Sequence, residues 1–139
     1  MVTPDAAGAT GVSIAAGAAT TTTTLILEVR ANSVTDLYGV AFDLRYPAAV
    51  LRYVRTDPGP FLTGATLQTF NNQGTLIVGL SELGTVSGTS GSGVLMTIEF
   101  QALATGQGTF SFANNTAINS SAQTLSGFTW SGGAVSVTF

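Results

Sequence analysis

The sequence predicts an all-β fold, a jelly-roll sandwich of about nine strands in two antiparallel sheets. Three observations predict it: apolar residues alternate with polar or small residues in several segments, turn residues separate these segments at spacings near ten residues, and no segment has a helical period. Two sheets of this kind bury their apolar faces against each other. We expect residues 1–139 to form one domain with its core over about residues 10–139.

The first two strands are predicted before residue 32. Val12 and Ile14 open the first strand, and the threonine-rich residues 20–24 suit an extended chain that leads into the second. In residues 24–31, the side chains of Leu25, Leu27, Val29 and Ala31 share one face, opposite Thr24, Ile26, Glu28 and Arg30. Asn32 and Ser33 supply a turn into the next strand.

Residues 37–46, LYGVAFDLRY, alternate most clearly, and they predict a strand that is covered on one side only. The inner parity consists of Tyr38, Val40, Phe42, Leu44 and Tyr46, and the outer parity of Leu37, Gly39, Ala41, Asp43 and Arg45. The outer side chains are mostly small, so this strand offers a partner a flat surface. Asp43 and Arg45 are either a polar anchor for that partner or a salt link on a solvated face. Glu28 and Arg30 have the same spacing, and for them we favour a solvated face.

The middle of the chain predicts a short strand and a hairpin. Residues 50–55 return after Pro47, and the two prolines of Asp57-Pro58-Gly59-Pro60 fix a rigid turn. Residues 66–70 and 75–82 form a hairpin with residues 71–74 at its tip, and the glycine- and serine-rich residues 84–93 form a loop.

The last third predicts one long strand and two shorter ones. In residues 94–104, the inner parity is Val94, Met96, Ile98, Phe100 and Ala102, and the outer parity is Leu95, Thr97, Glu99 and Gln101. Phe110 and Phe112 follow a glycine turn, residues 114–124 form a polar excursion, and the final strand places Val135, Val137 and Phe139 on one side.

Composition excludes several function classes. The chain has no His, no Cys and no Lys, so it cannot form the usual nucleophilic triads, thiolate sites, Schiff bases or zinc sites. Its seven carboxylates show no local spacing that predicts a calcium loop or a glycosidase pair, and we expect no cofactor, no metal and no enzyme activity. A net charge of -3 with four scattered arginines argues against nucleic-acid binding, and no apolar run is long enough to insert into a membrane.

Four blocks of the chain, in their order, resemble the cohesin domain of bacterial cellulosome scaffolds. They are LYGVAFDLRYPAAVL, GTLIVGLSE, GSGVLMTIEFQAL and TGQGTFSF, within a resemblance that covers about residues 10–139. The resemblance implies a nine-stranded jelly roll that binds a protein partner, a calcium-loaded dockerin, through the flat sheet face containing residues 37–46. The chain departs from the family at Gly39 and Ala41, where cellulosomal cohesins have short polar residues, and at Pro47-Ala48, where the family has Asp-Pro.

We therefore predict a noncatalytic interaction module that is extracellular or on the cell surface, as part of a larger protein. The predicted partner-binding residues are Leu37, Gly39, Ala41, Asp43 and Arg45. Two alternatives stay open, namely a spacer or adhesin-type domain without a ligand and a carbohydrate-binding module that stacks polysaccharide on Tyr53, Phe70 and Trp130, with Trp130 otherwise filling the core. We also predict weak self-association through an exposed apolar strip formed by Leu37 and Leu95.

Overall fold

The computed structural model describes residues 2–18, 20–84 and 86–138, and within them it contains strands and no helix. The strands are β1 (Val2–Pro4), β2 (Gly11–Ala16), β3 (Thr24–Arg45), β4 (Leu51–Pro58), β5 (Thr66–Asn72), β6 (Thr75–Ser81), β7 (Thr89–Ala102), β8 (Gly106–Asn119), β9 (Thr129–Trp130) and β10 (Gly133–Val137). The all-β prediction is confirmed. The described residues form ten strands instead of the predicted nine: residues 2–4 and residues 129–130 add two short strands, whereas residues 24–45 form one strand where two were predicted.

The long strand β3 belongs to both sheets of the sandwich. Its residues 24–37 pair with β7 and, over 27–32, with β2, and its residues 37–45 pair with β8 and, over 39–45, with β6. We call β5-β6-β3-β8 the front sheet and β4-β7-β3-β2-β9 the back sheet. Strands β10 and β1 continue from the first half of β8, and all ladders are antiparallel except that between β2 and β9. The expected turn at Asn32-Ser33 is therefore a bend within a strand, because both halves of β3 keep ladder partners.

The bend in β3 is held by residues in the left-handed region and by one carboxylate. Ser33 and Asp36 have φ of 47° and 53°, and Asp36 accepts hydrogen bonds from the Gly88 N–H at 2.8 Å and from the Ser120 hydroxyl at 2.8 Å. The Ser120 N–H also donates to it at 3.3 Å. The Ser120 hydroxyl is the main cause that holds the pKa of Asp36 below its ordinary value, and the two N–H groups act in the same direction. Asp36 thus connects the bend to the residues before β7 and after β8.

Replacing Asp36 with asparagine is expected to lower stability at neutral pH and to matter less in acid. Asparagine has nearly the same shape and tolerates a positive φ, but it lacks the charge that strengthens the hydrogen bonds from Gly88 and Ser120. Because folding lowers the pKa of Asp36, its contribution is complete above the unfolded value of about 3.9 and is lost as the pH falls through the lower folded value.

Urea midpoints of the two proteins, compared from pH 7 down to about pH 2.5, measure this effect. The difference between Asp36→Asn and the unmodified protein should be largest at pH 7 and should close in acid. A difference that does not change with pH would contradict the role of the carboxylate.

The core lies between the two sheets, and most of its residues were predicted by alternation. The inner residues Val40, Phe42, Leu44, Met96, Ile98 and Phe100 are all buried, as are Leu25, Leu27, Val29, Val135 and Val137. The rings of Tyr46 and Phe110 lie with their centroids 5.0 and 5.5 Å from that of Phe100. Phe139, which was predicted on the face of Val135 and Val137, lies outside the described residues.

Two leucines that were predicted to face outward are buried, and the physical cause is a bulge in each case. Leu37 is 0% exposed, because the pairing of β3 with β8 shifts register between Leu37 and Gly39. Leu95 is also buried, because Met96 pairs with Val29 and Val94 with Arg30, so Leu95 is an extra residue in β7. The predictions of an exposed Leu37 and of an apolar strip of Leu37 with Leu95 are therefore wrong. Tyr38, predicted in the core, is half-buried, and its hydroxyl donates to the Gly84 carbonyl at 2.6 Å.

Two predicted loops are partly strand. β7 begins at Thr89, within the glycine- and serine-rich segment, because residues 89–93 pair with residues 31–37 of β3. β8 continues to Asn119, within the predicted polar excursion, because its second half pairs with residues 37–45. Both strands are 14 residues long. In the front sheet, β8 is consequently longer than the sequence predicted.

Candidate functional site

The outward surface of the front sheet is a regular grid, which we call the front face. Its four rows, read across β8, β3, β6 and β5, are Ile118, Gly39, Ser81 and Thr66; Thr116, Ala41, Gly79 and Gln68; Ala113, Asp43, Ile77 and Phe70; and Ser111, Arg45, Thr75 and Asn72. On β3 and β6 the residues between these positions are buried in the core. Four of the five predicted partner-binding residues, Gly39, Ala41, Asp43 and Arg45, lie on the front face, and Leu37 does not.

A groove of about 350 Å³ crosses the first two rows of the front face. Gly39 and Ala41 line it from β3, Gly79 from β6, and the exposed Leu83 lies at its end, just after β6. A β-carbon added at Gly79 would have no atom within 4 Å, whereas one at Gly39 would lie 3.1 Å from the Leu80 carbonyl oxygen. Gly79 is thus the open floor of the groove, and the small side chains around it leave room for a side chain from a partner.

Large apolar side chains lie beside this groove and reach solvent. Phe70 is 63% exposed, Leu83 is 66% exposed, and Ile77, which pairs directly with Phe70, is 44% exposed. Water-exposed apolar side chains that cluster on one flat surface are typical of an interaction site. The front face therefore combines an apolar rim with an open groove.

The charges of the front face are Asp43 and Arg45, because β5, β6 and β8 carry no charged residue. Asn114 has φ of 50° at a bulge in β8, and its amide donates to the Asp43 carboxylate at 2.8 Å. Neither Asp43 nor Arg45 forms an ion pair with another described residue. The salt link that the sequence left open is therefore not formed here, and both charges remain free for a partner.

The outward surface of the back sheet has a different character. It carries Glu28, Arg30, Arg52, Arg55, Asp57 and Glu99, three charges of each sign. Arg30 pairs with Glu28 at 2.6 Å, and Arg55 pairs with Asp57 at 3.1 Å and with Glu99 at 3.8 Å. The Arg52 guanidinium donates to Gln101. Five of these six charges thus lie in ion pairs, the exception being Arg52, so the back surface offers a partner few unpaired charges.

The three rings of the carbohydrate alternative are not brought together. Trp130 is half-buried, with its ring centroid 5.5 Å from that of Phe112 and 5.9 Å from that of Phe42. Tyr53 packs edge-on against Phe100, at 6.1 Å, and shares a hydrogen bond of 2.7 Å with the Thr56 hydroxyl. Phe70 points outward from the front sheet. The described residues therefore do not form a flat strip of these three rings.

Several residues of the front face were not predicted as site residues. One signal was present in the sequence: Ile77 lies on the outward parity of residues 75–81, where an apolar side chain meets water. Gly79, Thr116 and Ile118 gave no such signal, because their place beside Gly39 and Ala41 depends on the register between distant strands.

The acidic residues are dispersed over the molecule. No three of them come together among the described residues in a group that could hold a metal ion.

Within the described part of the chain, no helix has the length and apolar character needed to span a membrane.

The family model and three solved structures that match this chain all describe cohesins. A family model, that of the cohesin domain, matches residues 10–136. A type II cohesin domain from the cellulosome of Acetivibrio cellulolyticus superposes with a TM-score of 0.79 at 13% identity, over 92% of this chain and 95% of that chain. The sixth cohesin of scaffoldin B of Acetivibrio cellulolyticus, solved in complex with a mutant Cel5 dockerin, gives 0.76 at 17% identity, over 94% and 100%.

An archaeal structure is also similar. A non-cellulosomal cohesin from the hyperthermophile Archaeoglobus fulgidus gives a TM-score of 0.69 at 14% identity, over 78% of this chain and 77% of that chain. Among curated proteins no match was found. At these identities the solved structures establish the jelly-roll fold.

Proposed function

Since the chain belongs to the cohesin domain family, we propose that it is a noncatalytic module whose front face binds a protein partner of the dockerin type. The observation that carries the proposal is the contrast between the two outer surfaces. The front face has an open groove, exposed apolar side chains and two charges outside any ion pair, whereas five of the six charges of the back surface lie in ion pairs. Because the described residues of the front face form no ion pair, a partner that binds there breaks none, and binding removes apolar surface from water.

The front face also indicates the chemistry of the partner. The groove above Gly79 suits an apolar side chain, and Phe70 and Ile77 suit an apolar surface next to it. Asp43 and Arg45 require a basic and an acidic group on the partner, spaced two strand residues apart. Cellulosomal cohesins have short polar residues at the positions of Gly39 and Ala41. The contact between this chain and its partner is therefore less polar there, and we expect this chain to select a different dockerin.

We further propose that residues 1–139 are one such module of a larger extracellular or cell-surface protein. The low charge and the richness in Thr, Ser, Gly and Ala support this placement, as does membership of a family whose members occur in cellulosomes. The calcium that the resemblance implies is carried by the dockerin. Chelation is therefore expected to weaken binding by changing the partner, with the thermal midpoint of this chain unchanged.

Calorimetric titration with dockerin modules from the same organism tests the proposed function. Replacing Asp43 with lysine is expected to weaken binding at least about tenfold, because the lysine meets the basic group of the partner at close range. Asp57→Lys is the matched control, since it makes the same change on the back surface and should leave the affinity unchanged. If no dockerin binds, or if both variants bind equally well, the front-face proposal fails and a spacer without a ligand is the better description.

A carbohydrate-binding function has no observation in its favour among the described residues. Two of its three rings, Tyr53 and Trp130, pack against the aromatic core, and the third lies on the front face.

A further inference from the structure

Among the described residues, four strands have a ladder partner on one side only, and three of them are protected against pairing with another chain. Residues 111–119 of β8 also pair on one side only, with β3, but a bulge at Asn114 interrupts them, and Gln123 and Leu125 hydrogen-bond to the backbone of Asn119 and Ala117. β1 has three residues and ends in Pro4, and β9 has two residues. β4 has a register shift between Tyr53 and Arg55 and carries three charges and Pro58. Short length, proline, charge and bulges are the devices that keep edge strands from associating.

The fourth edge strand, β5, has none of these devices. Its seven residues, TLQTFNN, contain no charge and no proline. They pair with β6 from Thr66–Ser81 to Asn72–Thr75 without a register shift, so the strand is regular along its whole length. Phe70 is the most exposed aromatic ring among the large apolar residues of the described chain, at 63%. An edge of this kind is an open template for a further strand.

The hairpin turn shows which backbone groups of β5 are open. Gln73 and Gly74 both have positive φ, 21° and 91°, so they form a two-residue turn that closes with a hydrogen-bonded pair, Asn72 and Thr75. Because antiparallel pairs alternate, the backbone groups of residues 66, 68, 70 and 72 point to β6, and those of Leu67, Thr69 and Asn71 point away. Among the described residues, no group hydrogen-bonds to the outward N–H and C=O groups of these three.

We propose that β5 pairs with β5 of a second copy of this chain, antiparallel, with Thr69 on the two-fold axis. In this register Thr69 pairs with Thr69 of the second copy, and Leu67 with Asn71 of the second copy, so that each of the three outward residues gains two hydrogen bonds. On the front-face side, Phe70 lies opposite Gln68 of the second copy and diagonal to its Phe70, within reach of ring contact. The two front sheets then join into one sheet of eight strands.

A second copy fits this edge better than a charged partner does. Residues 66–72 bring no charge to the axis, so two copies meet without repulsion, and an ionic partner has no charge there to pair with. The contact is a single strand pair with two phenylalanines, which is smaller than a standard protein interface. We therefore expect a weak dimer, with a dissociation constant of roughly 0.1–1 mM.

Sedimentation velocity and amide hydrogen exchange on the full chain test the proposal. Between about 20 μM and about 1 mM, the weight-average mass should rise by at least about a third. Exchange should slow at high concentration at the amides of Leu67, Thr69 and Asn71, and stay constant at Phe70, whose amide already bonds to β6. A chain that remains monomeric at 1 mM, or protection that appears elsewhere, overturns the proposal.

Two variants and one control locate the contact. Thr69→Pro removes an outward N–H and spares the ladder with β6, so the monomer should keep its thermal midpoint and lose the dimer. Gln68→Lys places like charges near the axis and should weaken the dimer about fivefold. Gln107→Lys makes the same change on an exposed residue of β8 and should have no effect. Dimers that persist in both β5 variants contradict the proposed contact, whatever the outcome of dockerin titrations.

Discussion

Replacing Phe100 with alanine is expected to lower the free energy of unfolding by about 3–5 kcal/mol. Phe100 is 0% exposed and comes from the back sheet, and its ring contacts Tyr46, Tyr53 and Phe110, with centroid distances of 5.0, 6.1 and 5.5 Å. Alanine removes the ring and leaves a cavity that its three aromatic neighbours, from just after β3, from β4 and from β8, cannot fill without moving the backbone. The loss is a large part of the 5–15 kcal/mol that is typical of a domain.

The same chemical change at Phe70 is the control. Phe70 is 63% exposed, so Phe70→Ala should change the free energy of unfolding by no more than about 0.5 kcal/mol. Guanidinium unfolding at low protein concentration, where the β5 edges are not paired, gives the midpoint and slope for both variants. Equal losses at the two positions would contradict the assignment of Phe100 to the centre of the core.

The fold was predictable wherever a strand keeps strict alternation. From Val40 to Tyr46 and from Met96 to Ala102, every inner position of the sequence pattern is buried in the structure. This holds because a strand turns successive side chains to opposite faces, so a run of alternating residues specifies its buried face without knowledge of its partners.

Prediction failed where a bulge changes the phase of the strand. Leu37 and Leu95 each lie next to a register shift, which sends to the core a side chain that simple alternation assigns to solvent. The turn predicted at Asn32-Ser33 lies in the bend, but Ser33 and Asp36 have positive φ although neither is glycine, so the sequence did not indicate a bend within one continuous strand. Bulges depend on how two strands meet, and a single strand does not encode them.

The candidate site was predictable only in part, for a related reason. Gly39 and Ala41 could be placed on the outer surface from their own strand. The groove, however, also needs Gly79 and Thr116, which are brought beside Ala41 by ladders between residues far apart in sequence. The hydrogen bond from the Asn114 amide to Asp43, at 2.8 Å, likewise forms at a bulge where β8 pairs with β3. Register and strand pairing are tertiary properties, so the residues that form the front face could be identified only from the folded structure.

Replacing Gly79 with tryptophan is expected to weaken partner binding by at least about 100-fold, which is about 2.7 kcal/mol, and to leave the stability of the chain unchanged or slightly higher. The two effects differ because of where the new side chain goes. A β-carbon at Gly79 has no atom within 4 Å, so the indole extends into the groove without straining the fold, and an aromatic residue suits a strand better than glycine does.

Substitutions of increasing side-chain size at Gly79 test this prediction more stringently. Gly79→Ala occupies little of the groove of about 350 Å³ and should cost less than about fivefold in affinity, so the loss should grow with side-chain size from alanine through valine to tryptophan. Gln107→Trp adds the same ring to an exposed position of β8 outside the front face and should not change binding. Calorimetric titration gives the affinities, and thermal unfolding verifies that each variant is folded. If Gly79→Trp bound as well as the unmodified chain, the groove would lie outside the interface, because an indole over its floor leaves no room for a side chain of the partner.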